Sequence, residues 1–234
     1  MKNIGIIGAM DIEIEGIRAE MEVLETKKVL GTDFYIGKLA GKDVVLALAG
    51  VGKVNAAICT QVMIDLMGVD AIVSVGVAGA ISGELKIGDV VVASDLIYHD
   101  MDAASFGYHP GFIPRMKESN FIADERMSAA AHRAGVEVMS ATNNKVVSGR
   151  MATGDQFIST DEDKKRIADV FNAACVEMES TAIAHTCYLN NIPFAAIRAI
   201  SDSADDSADF AFQKFLVIAA ERSGKIIINM ISKL

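Results

Sequence analysis

The sequence predicts an α/β fold, a three-layer α/β/α sandwich around a mixed, partly barrel-like sheet. Apolar, β-branched runs alternate along the chain with segments of helical periodicity. Several of these runs are apolar on both faces, as expected for a sheet that is covered by helices on each side. Only three Pro residues interrupt the 234 residues, and no Pro/Ser-rich stretch indicates a linker. We therefore expect residues 1–234 to form one domain.

The strands are predicted from short apolar runs at residues 3–9, 34–39, 43–49, 70–77, 89–97, 145–149, 174–176 and 193–200. Residues 34–39 alternate in polarity and precede the turn Ala40-Gly41-Lys42. This pattern predicts a hairpin with residues 43–49.

The helices are predicted from apolar periodicity at residues 53–67, 121–134, 161–171, 180–190 and 208–231. Ser180 is a candidate N-cap for its helix, and Gly135 is a candidate end for the helix that starts at residue 121. Acidic residues are expected in the loop and first turn of the last helix, namely Asp205, Asp206 and Asp209.

Composition and charge exclude several classes of protein. The 22 Lys and Arg against 31 Asp and Glu give a net charge of −9, which disfavours nucleic-acid and membrane partners. The three Cys residues show no CxxC spacing, so neither a disulfide framework nor a zinc site is predicted. The N-terminus lacks a signal-peptide pattern, and the longest uncharged stretch, 180–197, is too polar for a membrane span. We expect a cytoplasmic protein.

Polar residues follow the carboxyl ends of several predicted strands, where ligands collect in α/β folds. Four such junctions lie at residues 10–13, 76–79, 177–179 and 199–202. Their carboxylates Glu13, Glu179 and Asp202 are candidates to converge on one site. From spacing alone, residues 177–179 are equally compatible with a helix entry, and Asp202 with a helix N-cap.

Two glycine-rich segments match phosphate-binding loops only weakly. Residues 50–53 lack the upstream Gly and the following Ser or Thr of a P-loop, and residues 76–79 lack the GxGxxG spacing. We interpret both as tight strand-to-helix turns in which the backbone must approach another group closely.

One loop carries four residues of metal-binding types: His99, Asp100, Asp102 and His109. Metal sites usually show tighter helical or hairpin spacing. The preferred interpretation is therefore an ordered polar loop, with a subunit contact as one role for it, and no metal is predicted.

Motifs at these junctions resemble one family nearly from end to end. They are Gly8-Ala9-Met10 with Glu13, Gly50-Val51-Gly52-Lys53-Val54, Tyr98-His99-Asp100, Phe106-Gly107-Tyr108, Val147-Ser148-Gly149, Gly154-Asp155-Gln156-Phe157-Ile158, Val176-Glu177-Met178-Glu179 and Arg198-Ala199-Ile200-Ser201-Asp202. In this order they resemble bacterial methylthioadenosine/S-adenosylhomocysteine nucleosidases, which belong to the nucleoside phosphorylase-like superfamily. Glu13 after Gly-Ala-Met is typical of its hydrolase branch.

The resemblance implies a cofactor-free hydrolase that cuts the N-glycosidic bond of methylthioadenosine, S-adenosylhomocysteine and 5′-deoxyadenosine. Such an enzyme acts in methionine salvage and removes by-products of S-adenosylmethionine. Asp202 would protonate adenine N7, and Glu13 would activate water with help from Arg198, like the acid and base of inverting sugar hydrolases. Since a free Asp has a pKa of about 4, burial and neighbouring acids are expected to keep Asp202 protonated.

The resemblance also implies the substrate contacts. Glu179 would hold the ribose hydroxyls, with Met178 packed on the sugar, while Phe157 would stack on adenine and the Ile158 backbone would read its Watson–Crick edge. The 5′-thio pocket would be lined by Met10, Val51 and Phe212. Further substrate-binding positions are Val77, Ala78, Gly79 and Ser201.

Two aromatic residues and one substitution complete what the resemblance implies. Phe106 and Tyr108 would enter the site from a neighbouring subunit, so the chain would form a homodimer. Val77 stands where the family often has Ser, which removes a hydroxyl that can hydrogen-bond Glu179.

Three alternatives stay open from the sequence. A nucleoside phosphorylase of the same fold would need cations for phosphate, whereas residues 10–13 carry acids that repel it. A hydrolase of aminofutalosine would use the same motifs with a bulkier 5′ group. A non-catalytic nucleoside-binding module would keep Phe157 but needs neither Glu13 nor Asp202, so the presence of both acids argues against it.

Overall fold

A ten-stranded mixed sheet organises the computed structural model, which describes residues 1–205 and 207–234. Its strands are β1 (Asn3–Gly8), β2 (Glu22–Val29), β3 (Thr32–Leu39), β4 (Lys42–Leu48), β5 (Ala71–Ala80), β6 (Val90–Tyr98), β7 (Phe121–Ile122), β8 (Val146–Thr153), β9 (Cys175–Glu177) and β10 (Phe194–Asp202).

Five of these strands close into a barrel. Strand β10 pairs parallel with β5 and antiparallel with β6. Strand β8 pairs with β6 and β9, and β9 returns to β5, which completes the ring. The sheet continues from β5 through β1, β4 and β3 to β2, while β7 pairs with β6. The predicted mixed, partly barrel-like sheet and the predicted hairpin of β3 and β4 are confirmed.

Helices cover both faces of the sheet, and the described residues form six: α1 (Asp11–Ala19), α2 (Lys53–Met67), α3 (Glu125–Met139), α4 (Asp161–Phe171), α5 (Ser180–Asn190) and α6 (Ala208–Ile231). Helices α1, α3 and α6 bury their apolar sides in one core with Ile197 of β10. Helices α2 and α5 pack in a second core with Ile72 of β5, and α4 buries Phe171 in a third cluster. The predicted three-layer sandwich is confirmed.

Local signals set the ends of several helices. The Thr160 hydroxyl accepts a hydrogen bond from the Asp163 N–H, and Asp124 caps α3 through the Met127 N–H. Gly68 and Asn172 end α2 and α4 in the left-handed region that Gly and Asn tolerate best. Helices α2, α4, α5 and α6 begin and end at the predicted residues.

Some elements differ from the sequence expectations. Neither α1 nor β2 was predicted, and β2 is exposed along nearly its whole length, so it lacks the alternation of a half-buried strand. Residues 121–122 form β7, so α3 begins only at Glu125, and Gly135 lies inside α3. A Cβ at Gly135 would lie 3.0 Å from a Val146 methyl, so the glycine allows the helix to approach the sheet closely.

The expectations for the start of α5 and the start of α6 have different outcomes. Ser180 is the first residue of α5, and Glu179 occupies the cap position. Asp209 lies in the first turn of α6 and Asp205 in the preceding loop, as expected. Asp206, for which the same position is expected, lies outside the described residues.

Gly37 gives a test of how β2 pairs with β3. A Cβ there would overlap the Glu22 carbonyl oxygen, which is backbone and cannot rotate away. Gly37→Ala is expected to lower the free energy of unfolding by about 1–3 kcal/mol. Gly16→Ala in α1, where a Cβ meets nothing within 4 Å, should instead raise it by about 0.5–1 kcal/mol. Urea unfolding measures both, and a tolerated Gly37→Ala would contradict the pairing.

Candidate active site

A cavity of about 310 Å³ opens at the carboxyl ends of β1, β9 and β10. Twelve predicted site residues line it: Met10, Glu13, Val51, Val77, Ala78, Gly79, Phe157, Met178, Glu179, Ser201, Asp202 and Phe212. A smaller adjoining cavity shares Phe157, Met178 and Asp202 with it and reaches Ile158. The three acids that the sequence places at separate junctions therefore meet in one space.

Three predicted residues lie off the wall of this cavity. Arg198 is buried in β10 behind the wall. Phe106 lies in a short 3₁₀ turn with 82% of its surface exposed, and Tyr108 stacks on Phe112 with 5.4 Å between ring centroids. Neither aromatic side chain lines the cavity of its own chain, and entry into a neighbouring subunit's site stays a prediction.

Glu13 is held at the first turn of α1 by backbone donors. One of its carboxyl oxygens accepts hydrogen bonds from the Ala9 N–H (2.8 Å) and the Met10 N–H (3.0 Å). The other accepts from the Val77 N–H at 3.1 Å. Burial raises the pKa of Glu13 above its ordinary value, opposed by Arg198 and by these three N–H groups. A fixed carboxylate with a raised pKa is a better proton acceptor than a free one.

A buried ion pair joins Glu177, on the cavity wall, to Arg198 behind that wall. Arg198 Nη2 donates to Glu177 Oε2 at 2.8 Å, with both side chains at most 3% exposed, and also to Ser74 Oγ at 3.0 Å. The same Glu177 oxygen accepts from the Glu179 N–H (3.1 Å) and the Ser180 N–H (2.7 Å). Glu177 therefore fixes both the start of α5 and the guanidinium.

Sequence reasoning did not include Glu177 among the site residues, although it lines the cavity. The available signal was its position as the last residue of β9, directly after a buried apolar run. Polar residues at such strand ends merit inclusion because ligands collect there. The alternative that residues 177–179 form a helix entry is correct only for Glu179, which directly precedes α5, whereas Glu177 belongs to β9.

Glu179 projects into the cavity from the residue before α5. Its Oε1 accepts a hydrogen bond from the Gly52 N–H at 2.8 Å. Burial raises its pKa to about 8, and the charges of Glu177 and Glu13 add to this effect against Arg198 and Gly52. Val77, where the family often has Ser, offers only its N–H, which is used by Glu13. Gly52 therefore provides the polar contact to Glu179.

Asp202 ends β10 at the junction of the two cavities. Its carboxyl oxygens accept hydrogen bonds from the Ser201 hydroxyl (2.8 Å) and the Ala204 N–H (2.9 Å). Burial raises the pKa of Asp202, although these two bonds oppose it. Asp202 does not cap α6, because Ser207 occupies that position. The side chain is thus available to a ligand in the cavity.

The two glycine-rich segments have different structures. Gly50 and Gly52 have φ values of 87° and 98° and form the predicted turn between β4 and α2. Gly76 and Gly79 lie within β5, so the predicted turn there is wrong. The predicted close approach is present: a Cβ at Gly76 would lie 3.0 Å from Glu13 Cδ.

The opposite side of the cavity is apolar. The Phe157 and Phe212 rings meet edge to face with centroids 5.5 Å apart, and Phe157 is 44% exposed. Met10, Val51 and Met178 complete this side. Apolar walls with a few convergent polar groups are typical of small-molecule sites.

The polar loop that follows β6 is bonded partly within itself and partly to α2. Asp102 accepts from the Ala104 N–H at 2.8 Å, and Asp100 contacts Lys53 Nζ of α2 at 2.5 Å. His99 is 3% exposed, and neither of its ring nitrogens has a hydrogen-bond partner among the described residues. No group of three His, Cys, Asp or Glu residues with metal-binding geometry occurs in residues 1–205 and 207–234. In the same ranges, no helix has the length and apolar character to cross a membrane.

The fold and the carboxylate-lined cavity define an α/β enzyme that acts on a small molecule. The family model of the phosphorylase superfamily matches residues 3–232. A 5′-methylthioadenosine/S-adenosylhomocysteine nucleosidase of Haemophilus influenzae (strain PittEE) is 38% identical over 232 residues, which are 99% of each chain. The chain belongs to the phosphorylase superfamily and, within it, to the 5′-methylthioadenosine/S-adenosylhomocysteine nucleosidases, as its motifs predicted.

Two solved structures are similar to this chain along its whole length. The 5′-methylthioadenosine/S-adenosylhomocysteine nucleosidase of Neisseria meningitidis, in complex with methylthio-immucillin-A, has a TM-score of 0.94 and 39% identity over 100% of both chains. The futalosine hydrolase of Helicobacter pylori strain 26695 has a TM-score of 0.92 and 34% identity over 100% of this chain and 98% of its own.

The raised pKa of Glu179 predicts how stability depends on pH. Between about pH 4.5 and 8 the unfolded chain has lost the Glu179 proton while the folded chain keeps it. The contribution of Glu179 to the free energy of unfolding therefore falls as pH rises through this window. Glu179→Gln cannot ionise and keeps the oxygen that accepts from Gly52, so it should be more stable than the unsubstituted chain at pH 8, by roughly 4 kcal/mol.

Urea unfolding from pH 5 to pH 9 measures this difference. The matched control is Glu15→Gln on the exposed side of α1, which makes the same substitution outside the cavity. A Glu179→Gln difference that stays constant or shrinks from pH 5 to pH 8 contradicts the assignment.

Proposed function

We propose that this chain hydrolyses the N-glycosidic bond of 5′-methylthioadenosine and S-adenosylhomocysteine, releasing adenine and the 5-thio-ribose, and that 5′-deoxyadenosine is a further substrate. The observation that carries the proposal is the convergence of Glu13, Glu179 and Asp202 on one cavity with apolar walls. The family membership supports the same reaction.

Asp202 serves as the general acid in this proposal. Cleavage leaves electrons on the purine, and adenine is a poor leaving group as an anion, so a proton must reach N7 as the bond stretches. Burial favours the protonated carboxylic acid, and its raised pKa supports this role. The Ser201 hydroxyl orients the side chain.

Glu13 serves as the base that activates water. Its three backbone donors fix its orientation, and Arg198 lies close enough to oppose the burial effect on its pKa. Glu179 takes the ribose hydroxyls. Because its pKa is about 8, it holds a proton for most of the time at neutral pH, and its ionised form stabilises the positive charge that develops on the sugar. No step requires a metal or an organic cofactor.

The apolar wall provides the specificity for the base and the 5′ group. Phe157 and Ile158 border the end of the cavity nearest Asp202, which suits adenine. Met10, Val51 and Phe212 line the remaining wall, which suits an apolar thioether. Met178 packs against the sugar between these two regions, with Val77, Ala78 and Gly79 on the β5 side.

The charges around the cavity disfavour a phosphorylase. Among the described residues that line it, four are acids and none is Lys or Arg. The buried Arg198 behind the wall already pairs with Glu177 at 2.8 Å. A phosphate ion would therefore meet no cation among the described lining residues, whereas water needs none.

A futalosine-type substrate is the second candidate, favoured by the 34% identity to the Helicobacter pylori futalosine hydrolase. Such a substrate carries a bulkier 5′ group than methylthioadenosine. Competition between aminofutalosine and methylthioadenosine in one assay, with kcat/KM as the measure, ranks the two.

We also infer a homodimer in which Phe106 and Tyr108 complete the partner's site. Exposed apolar side chains on α2 and α5 support an interface there: Val54, Ile58, Leu66 and Leu189 are 46–68% exposed. One domain spanning residues 1–234 is supported by the continuous sheet. A cytoplasmic location and a role in methionine salvage agree with the proposed substrates.

Adenine release in phosphate-free buffer tests the function directly. The unsubstituted chain with methylthioadenosine is expected to yield adenine and 5-methylthioribose, and added phosphate should not increase the rate. Dependence on phosphate together with a ribose-1-phosphate product would establish a phosphorylase instead. Binding without turnover of any of these nucleosides would leave a non-catalytic module.

Asp202→Asn tests the general acid. The amide keeps the shape of the carboxyl group but cannot supply the proton, so kcat should fall by at least about 10²-fold. Calorimetric affinity for methylthioadenosine should be retained. Asp209→Asn, the same change at an exposed position in the first turn of α6, is the matched control and should leave kcat unchanged. Near-normal turnover by Asp202→Asn removes Asp202 from this role.

A further inference from the structure

An ionic cluster outside the cavity joins three of the loops that surround the site. The Lys53 cluster consists of Lys53, Asp100 and Asp155. Lys53 Nζ lies 2.5 Å from Asp100 Oδ2 and 3.6 Å from Asp155 Oδ2. The Asp155 N–H donates to Asp100 Oδ2 at 2.9 Å, so the two acids are also joined to each other. None of the three residues lines the cavity.

Two members of the Lys53 cluster are directly connected to segments that do line the cavity. Lys53 follows Gly52, whose N–H donates to Glu179, and Val51, which forms part of the apolar wall. Asp155 lies two residues before Phe157, the ring proposed to stack on adenine. The cluster therefore connects the ribose end of the site to its adenine end through one lysine.

The start of α2 depends on this cluster for its cap. Gly52 occupies the cap position with no side chain to offer, and its φ of 98° suits glycine. Asp155 Oδ1 accepts from the Lys53 N–H at 2.8 Å and so provides the cap from a different loop. A Cβ at Gly52 would lie 3.1 Å from that oxygen. The two loops are thus in direct contact at the helix N-terminus.

The pairing of Lys53 with Asp100 is only partly exposed to solvent. The Lys53 side chain is 26% exposed and that of Asp100 is 17% exposed. Burial raises the pKa of Asp100, but its bonds to Lys53 and Asp155 outweigh this and hold it below the ordinary value. Asp100 is therefore ionised at neutral pH, and a partly buried pair of opposite charges is screened less than a surface pair.

We propose that Lys53 is a positioning residue for the nucleoside site. Through Asp100 and Asp155 it holds the segment of Val51 and Gly52 in register with the segment of Phe157. Glu179 and the adenine-stacking ring then meet the same bound molecule. This inference rests on the proposed function for the identity of the ligand.

The kinetic effect of substituting Lys53 depends on which substrate contacts the neighbouring segments make. The contacts at risk are those to ribose and adenine, which are made before and during bond cleavage alike. Asp202 and Glu13 keep their own hydrogen bonds, because neither bonds to the cluster. Removal of such uniform binding raises KM more than it lowers kcat.

Steady-state kinetics with methylthioadenosine on the full chain tests the proposal. Lys53→Met keeps most of the aliphatic side chain and removes the ammonium group. It should raise KM by about tenfold and lower kcat by less than about threefold. Lys53→Arg, which can still bond to Asp100, should recover part of the loss. Lys38→Met is the matched control, because it removes a 2.7 Å pair with Asp43 in the β3–β4 hairpin without touching the site.

A second variant separates positioning from folding. Asp155→Asn keeps the oxygen that caps α2 and removes the charge that faces Lys53, so KM should rise while the Tm stays near that of the unsubstituted chain. A KM within about twofold of the unsubstituted value in both Lys53→Met and Asp155→Asn overturns the proposal. So does a fall in Tm with no change in KM.

Adenine affinity distinguishes this failure from a failure of the proposed function. If the unsubstituted chain releases no adenine, the proposed function fails, but calorimetry with adenine still reports whether Lys53→Met weakens binding at the Phe157 end. Weaker adenine binding by Lys53→Met than by Lys38→Met supports the positioning role, and equal binding contradicts it.

Discussion

The ion pair between Glu177 and Arg198 connects the acidic side chains of the cavity to the strands of the barrel. Both side chains are almost fully buried, so each charge is tolerated only because the other is present at 2.8 Å. One oxygen of Glu177 accepts from the first turn of α5 and from the guanidinium together. The pair thereby positions Glu179 and places a permanent positive charge beside Glu13. Removal of either partner would leave an uncompensated charge in the core.

The same pair explains why the remaining acids resist ionisation. One guanidinium neutralises one carboxylate, and Glu177 makes the closest contact with it. Burial raises the pKa of both Glu13 and Glu179, and at Glu179 the charges of Glu177 and Glu13 raise it further. Burial of these acids lowers the stability of the folded chain, and it also gives the site groups that can take up and release protons near neutral pH.

Local patterns predicted most of the fold and most of the cavity wall. Periodicity located α2, α4, α5 and α6, because their caps and apolar sides are encoded within each segment. The motifs located Glu13, Glu179 and Asp202, because each lies at or just after the carboxyl end of a buried strand. Strand β2 escaped prediction because it is stabilised by pairing with β3 rather than by a buried face.

The contacts that sequence reasoning missed join residues far apart in the chain. Lys53 and Asp155 are separated by 102 positions, and neither motif on its own indicates that the other is near. Their pairing follows only from the closure of β8, β9 and β5 into the barrel. A single sequence carries no signal for such a pair, because a Lys after a Gly turn and an Asp in a loop are both common at solvated surfaces.

The glycines of β1 and β5 show how the strands make room for buried acids. A Cβ at Gly8 would lie 3.3 Å from Glu13 Cβ, and one at Gly79 would lie 2.6 Å from an Asp202 oxygen. Glycine weakens a strand interior, where β-branched residues are preferred. Here its missing side chain lets two carboxylates lie directly against the sheet, shielded from water and within reach of strand N–H groups such as that of Val77. The acid pKa shifts on which the proposed chemistry depends thus arise from glycines that the strands retain at a cost to their own stability.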